Sequence, residues 1–211
     1  MIKIMIADDH AIVREGLKQI VSEEPDMTVS GEAGNTRELF NFLATEQCDL
    51  IILDVNMPGK SGLEALKDIR SLYVHIPVLI LSMYSEDQYG IRALKAGAAG
   101  FLKKVSAPGE LVLAIRKIIN GGKYISEALA ERLADSLDMA KNGAAHEQLS
   151  DREFQIMCQI ASGMSADAIA DELSISVHTV YSYRNRILEK MKLKSNVELT
   201  QYVMQNKLID L

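Results

Sequence analysis

Three carboxylates, a hydroxyl and an ammonium stand out in the first half of the chain: Asp8, Asp9, Asp54, Ser82 and Lys104. Each lies at or just past the carboxyl end of a short apolar run: 2–7, 49–53, 77–82 or 99–103. Carboxylates that converge repel one another and need a cation. Donors made of oxygen alone favour Mg²⁺, which takes one or two carboxylates together with waters and phosphate oxygens. A lysine beside them pairs with a carboxylate or a phosphoryl oxygen, and a serine hydroxyl donates to the same oxygen. Taken singly, each residue has an ordinary explanation. An Asp or Ser after a strand is commonly a helix cap, and a lone Lys is usually solvated. It is the conjunction, in strand order, that points to a site.

The element that must position these groups is a parallel sheet. Residues 50–53 read Leu-Ile-Ile-Leu and run straight into Asp54, with Pro58 and Gly59 turning the chain just beyond. A continuous apolar run bounded by turn signals is the pattern of a strand buried on both faces. Further strands are expected at 2–7, 27–31, 77–82 and 99–103. Helices are expected at 10–21, 37–43, 62–72, 86–95 and 108–120. The first of these presents Ile12, Val13, Leu17, Ile20 and Val21 on one face. Regular strand–helix alternation implies an α/β fold with a doubly wound, five-stranded parallel sheet. In flavodoxin-like order, the first and third strands flank the switch point, so Asp8, Asp9 and Asp54 face the crevice where such folds bind ligands.

Residues 1–122 resemble the receiver domain of bacterial two-component response regulators. The resemblance is carried by Asp8-Asp9-His10, by Asp54-Val55-Asn56-Met57-Pro58-Gly59, by Leu81-Ser82, and by the run from Lys95-Ala96-Gly97 through Gly100-Phe101-Leu102-Lys103-Lys104. It implies that Asp54 accepts a phosphoryl group from a sensor histidine kinase. It also implies that Asp9 and Asp54 bind Mg²⁺ directly with the Asn56 carbonyl, that Asp8 does so through water, and that Ser82 and Lys104 hold the phosphoryl oxygens. The family's lysine falls four residues after Gly100, which selects Lys104 over Lys103, and strand alternation agrees that only one of the two points into the site. The chain departs from many receivers in having Val105 where a proline follows that lysine. Phe101 occupies the family's aromatic switch position and, lacking a hydroxyl, changes rotamer without reaching for a hydrogen bond. Ser82 would move toward the phosphoryl group and free space for Phe101 to turn inward.

Residues 123–147 read as a connecting segment: an amphipathic helix over 126–140, with Leu129, Leu133 and Leu137 every four positions, then a flexible tether at 142–145 and a solvated His146. No strand pattern follows residue 148. Ser150 and Glu153 form a capping box ahead of a helix over 151–162. Ser165 caps a short helix over 166–173, Ser174-Ile175-Ser176 makes a tight turn, and helices follow over 177–191 and 196–206, the last with Val197, Leu199, Val203 and Met204 as its apolar set. A short helix, a tight turn and a longer basic helix make the helix-turn-helix plan. The second helix turns Val177, Val180, Ile187 and Met191 inward. Its outer face carries His178, Tyr181, Ser182 and Asn185, able to reach base edges, while Arg184, Arg186, Lys190 and Lys192 meet phosphates.

The C-terminal segment, 148–211, resembles the LuxR-type domain of NarL/FixJ-family regulators. The matching stretches are Leu149-Ser150-Asp151-Arg152-Glu153, the 160–165 and 169–173 stretches, Ser176-Val177-His178-Thr179-Val180 and Ile187-Leu188-Glu189-Lys190-Met191. The resemblance implies that Thr179 and the helix after it approach DNA and that the last helix makes a dimer contact. The net charge of −6 speaks against a non-specific nucleic-acid coat, yet 184–194 holds five cations against Glu189 alone. Cys48 and Cys158 are far apart and lack metal-ligand spacing, which fits a reduced, cytosolic protein. No apolar run approaches the ~20 residues of a membrane span. The expectation is a cytoplasmic, phosphorylation-switched transcription regulator that dimerises on DNA. The rivals are a Mg²⁺-dependent phosphohydrolase with an Asp nucleophile and a regulator that works without phosphorylation.

Overall fold

The structure is a computed structural model and describes residues 1–58, 60–84, 86–106, 108–138, 144–206 and 208–209. The chain forms two compact units, Met1–Ser126 and Glu127–Leu211.

In the first unit the elements alternate as β1 (Ile2–Ala7), α1 (Ala11–Ser22), β2 (Met27–Ala33), α2 (Thr36–Thr45), β3 (Leu50–Asp54), α3 (Gly62–Leu72), β4 (Val78–Ser82), α4 (Glu86–Lys95), β5 (Gly100–Lys103) and α5 (Pro108–Ile119). The five strands are ordered β2-β1-β3-β4-β5 and all pair in parallel. This is the expected doubly wound sheet, with its switch point between β1 and β3. Every residue of β3 and β4 is buried. Leu50, Ile51, Ile52 and Leu53 are each at most 1% exposed, and burying each contributes about 1.5–3 kcal/mol. Asp54 is therefore anchored by the strand rather than by the loop after it. One core lies against α1 and α5, where Ile4, Ile6, Leu50, Ile52, Leu79, Leu81 and Leu102 meet Leu17, Leu111 and Ile115.

Several points differ from the sequence reading. β2 runs on to Ala33, two residues past Gly31. Ile12, expected on the inner face of α1, is 87% exposed. Leu72, the last residue of α3, is exposed too. Residues 123–126, placed in the connecting segment, lie within the first unit. Tyr124 bridges Gly100 in parallel, Phe101 N donates to Tyr124 O at 3.0 Å, and Lys123 Nζ donates to Ala98 O at 2.9 Å. These bonds cover part of the edge that β5 would otherwise expose.

The second unit contains α6 (Glu127–Asp138), a 3₁₀ turn (Ala145–Gln148), α7 (Asp151–Ala161), α8 (Ala166–Leu173), α9 (Val177–Met191) and α10 (Asn196–Gln205). The capping box at Ser150 and Glu153 is formed, as expected. Phe154, Met157, Ile169, Leu173, Val180, Ile187, Leu188 and Leu199 make its core. Asn142 and Gly143, the first half of the expected tether, lie outside the described residues, as does the side chain of Leu137. His146 is not simply solvated: its Nδ1 lies 2.9 Å from the Tyr202 hydroxyl and its ring is 6.0 Å from that of Phe154. On α10, Leu199 and Val203 are buried, but Val197 and Met204 are exposed. Among the described residues no helix is long and apolar enough to cross a membrane, and both cysteines are buried and unbridged.

Candidate functional site

At the carboxyl edge of the sheet, three side chains are drawn together out of water. Lys104 Nζ lies 2.8 Å from Asp54 Oδ2 and 2.6 Å from Asp8 Oδ2, and these side chains are 4%, 2% and 2% exposed. Lys103, by contrast, is exposed, and it is Lys104 that lies beside the acids. The backbone explains how Lys104 arrives: its N–H donates to Ser82 O at 2.8 Å, extending the β4–β5 ladder one step past β5. Asp54 is fixed from behind by α3. A capping box between Ser61 and Glu64 starts that helix, and Gly62 N donates to Val55 O at 2.8 Å. A Cβ on Gly62 would fall 1.9 Å from Asp54 O, so only glycine fits there.

Two carboxylates share one ammonium, and the cluster carries an excess of negative charge. Burial pushes the Asp54 carboxyl up to about 7. Asp8 adds to the rise, while Lys104 and the Asn56 backbone N–H oppose it. Burial pulls the Lys104 ammonium down, but Asp54 and Asp8 more than offset this and leave it raised. Asp9 lies on the α1 side, half-buried. One donor atom from each of Asp8, Asp9, His10 and Asp54 lies within 4.8 Å of the other three. Asp8 Oδ2 and Asp9 Oδ1 are out of water, the first 2.6 Å from Lys104 Nζ and the second 2.6 Å from His10 Nδ1. Clustered oxygens with unused lone pairs and surplus negative charge fit a hard divalent cation such as Mg²⁺.

Ser82 and Phe101 are on the neighbouring strands. Ser82 is fully buried, and its Oγ accepts from Tyr84 N at 3.0 Å. Phe101 is also fully buried, so any inward switch starts from a ring already out of solvent. Two neighbours were not read from the sequence. His10 turns its ring onto the acids, with Nδ1 2.6 Å from Asp9 Oδ1. Arg14, on α1, donates from Nη1 to Asp8 O at 2.7 Å and from Nε to Glu32 at 3.1 Å, tying the end of β1 to β2. His10 adjoins the acid pair in sequence, which is the signal that could have found it. Arg14 is four residues further on, and only the helix brings it back.

In the second unit α9 is the exposed basic helix. Ser176 caps it, accepting from Thr179 N at 3.1 Å, and Ser174 closes α8 in the left-handed conformation at φ 52°. Val180, Ile187 and Met191 are buried as expected; Val177 is only half-buried, and Leu188 joins the core. His178, Tyr181 and Asn185 are exposed. Ser182 is half-buried and donates its hydroxyl to His178 O at 3.0 Å, so it is less free for base edges than its position suggested. Arg184 is braced by Asn196 Oδ1 at 2.6 Å and Asn185 Oδ1 at 3.1 Å. Arg186 is exposed, with its guanidinium 5.9 Å from the centre of the Tyr183 ring. Lys192 ends the helix, exposed and left-handed at φ 58°. Lys190 differs from expectation: its Nζ donates to Glu153 Oε2 at 2.7 Å and ties α9 to α7. Glu153 is buried, and burial alone would raise its carboxyl. Lys190 and the Ser150 N–H reverse that and hold it below the usual range.

Comparison with known proteins gives two domain matches. Residues 4–116 match the response regulator receiver domain, and residues 147–203 match the bacterial regulatory proteins of the luxR family. The chain is 34% identical over 207 residues to the response regulator UvrY of Escherichia coli strain K12, covering 98% of this chain and 95% of that protein. It is similar to the crystal structure of a LuxR-family two-component response regulator from Aurantimonas sp. SI85-9A1. That match has 34% identity and a TM-score of 0.59 and covers 64% of this chain and 96% of the other. It is also similar to the two-component response regulator RcsB solved as a DNA complex, at 25% identity and a TM-score of 0.60, covering 96% and 98% of the two chains.

Proposed function

Because the chain belongs to the two-component response regulators that join a receiver to a LuxR-type helix-turn-helix domain, we propose that phosphorylation of Asp54 by a sensor histidine kinase controls its binding to double-stranded DNA. It is a regulator rather than a metabolic enzyme, which sets aside the phosphohydrolase. The observation that carries the assignment to Asp54 is its burial at the end of β3, within 2.8 Å of the Lys104 ammonium and beside Asp8.

An Asp54 carboxylate oxygen attacks the phosphorus of a phosphohistidine in line, the P–N bond breaks, and the imidazole leaves. Lys104 already touches the attacking carboxylate and carries its full positive charge, so it is placed to pair with the phosphoryl oxygens. Asp8, Asp9, Asp54 and the Asn56 carbonyl would hold Mg²⁺, which supplies charge neutralisation when bound. The Ser82 hydroxyl leaves the Tyr84 N–H to meet the new acceptors, and the packing around Phe101 readjusts, an equilibrium between two states of one fold. Water attacking the acyl phosphate resets the site slowly, the only turnover ascribed to the chain.

On DNA, α9 enters the major groove with His178, Thr179, Tyr181, Ser182 and Asn185 toward base edges, and Arg184, Arg186 and Lys192 meet phosphates. The RcsB–DNA complex supports this reading. The protein acts in the cytoplasm as a dimer on paired half-sites, with the exposed Val197 and Met204 of α10 at the contact. Incubation with acetyl phosphate and Mg²⁺, followed by intact-mass analysis, tests the acceptor. One alkali-labile phosphoryl group per chain, absent from Asp54→Asn, is the expected result. Equal labelling of the variant would refute the assignment.

A further inference from the structure

The chain leaves the first unit along the strand that carries Phe101 and delivers Lys104. Past α5, residues 123–126 lie beside β5 as an incomplete sixth strand. Tyr124 N donates to Ala99 O and Phe101 N donates to Tyr124 O, both at 3.0 Å. Lys123 Nζ donates to Ala98 O at 2.9 Å. The approach is close: a Cβ on Gly100 would fall 2.8 Å from Tyr124 O, so the two backbones meet only over a glycine. Tyr124 is half-buried and packs against the receiver core. Two residues on, the Ser126 hydroxyl donates to the Glu86 carboxylate at the start of α4. Glu127, the next residue, begins α6. The segment is pinned twice, by its backbone to β5 and by a side chain to α4.

Both anchors belong to the switch. Ser82 Oγ accepts from Tyr84 N at 3.0 Å, and Glu86 lies two residues further along the same connection from β4 to α4. When the Ser82 hydroxyl turns to a phosphoryl oxygen, the connection that aims Glu86 loses that bond. Phe101 N bonds directly to Tyr124 O, so a shift of β5 at Phe101 passes to the segment through a single hydrogen bond. Hydrogen bonds tolerate little displacement. Bonding fails once donor and acceptor part beyond about 3.5 Å, and a shift on the order of 1 Å suffices to separate Ser126 from Glu86.

We propose, on the reading that phosphorylation of Asp54 controls DNA binding, that residues 123–126 form a strap whose latch is the Ser126–Glu86 bond. The latch is closed in the unphosphorylated chain, where it restrains the segment leading into α6, and open when Asp54 carries a phosphoryl group. A contact made in only one of two states contributes its whole free energy to the equilibrium between them. Removing the latch therefore raises the basal affinity for DNA and leaves less for the phosphoryl group to add.

The test uses the full-length chain as wild type, Ser126→Ala, Glu86→Ala and the double variant. Affinity is measured on one genomic fragment that the wild type retains, with and without beryllofluoride and Mg²⁺. Ser126→Ala should bind about 5-fold more tightly without beryllofluoride, the factor that one typical hydrogen bond supplies. Its affinity with beryllofluoride should equal that of the wild type, so its response falls by the same factor. Glu86→Ala should behave alike, and the double variant should gain no more than either single one. Hydrogen exchange reads the strap without DNA. The Tyr124 amide, which donates to Ala99 O in the closed strap, should exchange about 5-fold faster in Ser126→Ala, and faster in the wild type once beryllofluoride is bound. Unchanged basal affinity in Ser126→Ala overturns the latch, as do additive gains in the double variant. An equal gain with and without beryllofluoride also overturns it, because Ser126 would then act on α6 and not on the switch. If beryllofluoride tightens wild-type binding but leaves Tyr124 exchange unmoved, the latch fails and the reading of Asp54 stands. If it leaves wild-type DNA affinity unchanged, the reading of Asp54 fails and the latch with it.

Discussion

Replacing Asp54 by Asn should make the metal-free chain more stable at neutral pH. Asp54 and Asp8 face a single ammonium, and all three side chains are at most 4% exposed. Removing one carboxylate leaves a one-to-one pair between Lys104 and Asp8. The Asp54 carboxyl is pushed from 3.8 up to about 7, so the folded chain holds a proton that the unfolded chain releases. Folding stability therefore falls as pH rises from about 4 to about 7, and the loss is complete above that. At about 1.4 kcal/mol per pH unit the ceiling is on the order of 4 kcal/mol. Asn accepts a weaker bond from Lys104 than a carboxylate does, which reduces the gain to about 1–3 kcal/mol. The assay is calorimetric melting of both proteins in EDTA at a series of pH values, following the transition that Mg²⁺ shifts in the wild type. The difference should be near zero at about pH 4, grow to about pH 7 and then level off. A variant no more stable than the wild type at about pH 8, or a difference that ignores pH, would refute the electrostatic account of the site.

Gly62→Ala should destabilise the receiver unit by about 3 kcal/mol or more and abolish phosphoryl uptake, because the new Cβ meets the Asp54 backbone at 1.9 Å; melting and phosphate labelling check it. Lys190→Ala should lower the stability of the second unit by about 1–2 kcal/mol, since it strands the buried Glu153 carboxylate, the half-exposed ammonium keeping the figure modest. It should leave the salt dependence of DNA binding nearly unchanged, whereas Arg186→Ala should reduce that slope by about one; fluorescence anisotropy at several salt concentrations separates the two. Ser174→Gly should raise the melting point of the second unit, by about 0.5–1 kcal/mol of stability, because a left-handed φ of 52° suits glycine.

Much of this site was legible in the sequence because strand-end chemistry is local to short apolar runs. The 50–53 run fixed where Asp54 sits, and the Gly100 spacing separated Lys104 from Lys103. What was misread came from pooling apolar residues that do not share a face. At 100° per residue, Ile12 points roughly 125° away from the mean direction of Val13, Leu17, Ile20 and Val21, and it is exposed. In α10, Val197 and Met204 lie on the face opposite Leu199 and Val203, and they too are exposed. The bond from Lys190 to Glu153 joins residues 37 apart in sequence, and no local pattern announces it. The same holds for Arg14, whose reach to Asp8 depends on how α1 packs on the sheet.

The central claim is that the charge on Asp54 sets affinity for DNA. The most direct measurement is a gel shift on genomic fragments, with and without acetyl phosphate and Mg²⁺, for the wild type beside Asp54→Ala. The account predicts that the donor tightens wild-type binding by roughly 5–150-fold, the usual range of coupling between two sites, and does nothing to the variant. Equal wild-type affinity with and without the donor would contradict it.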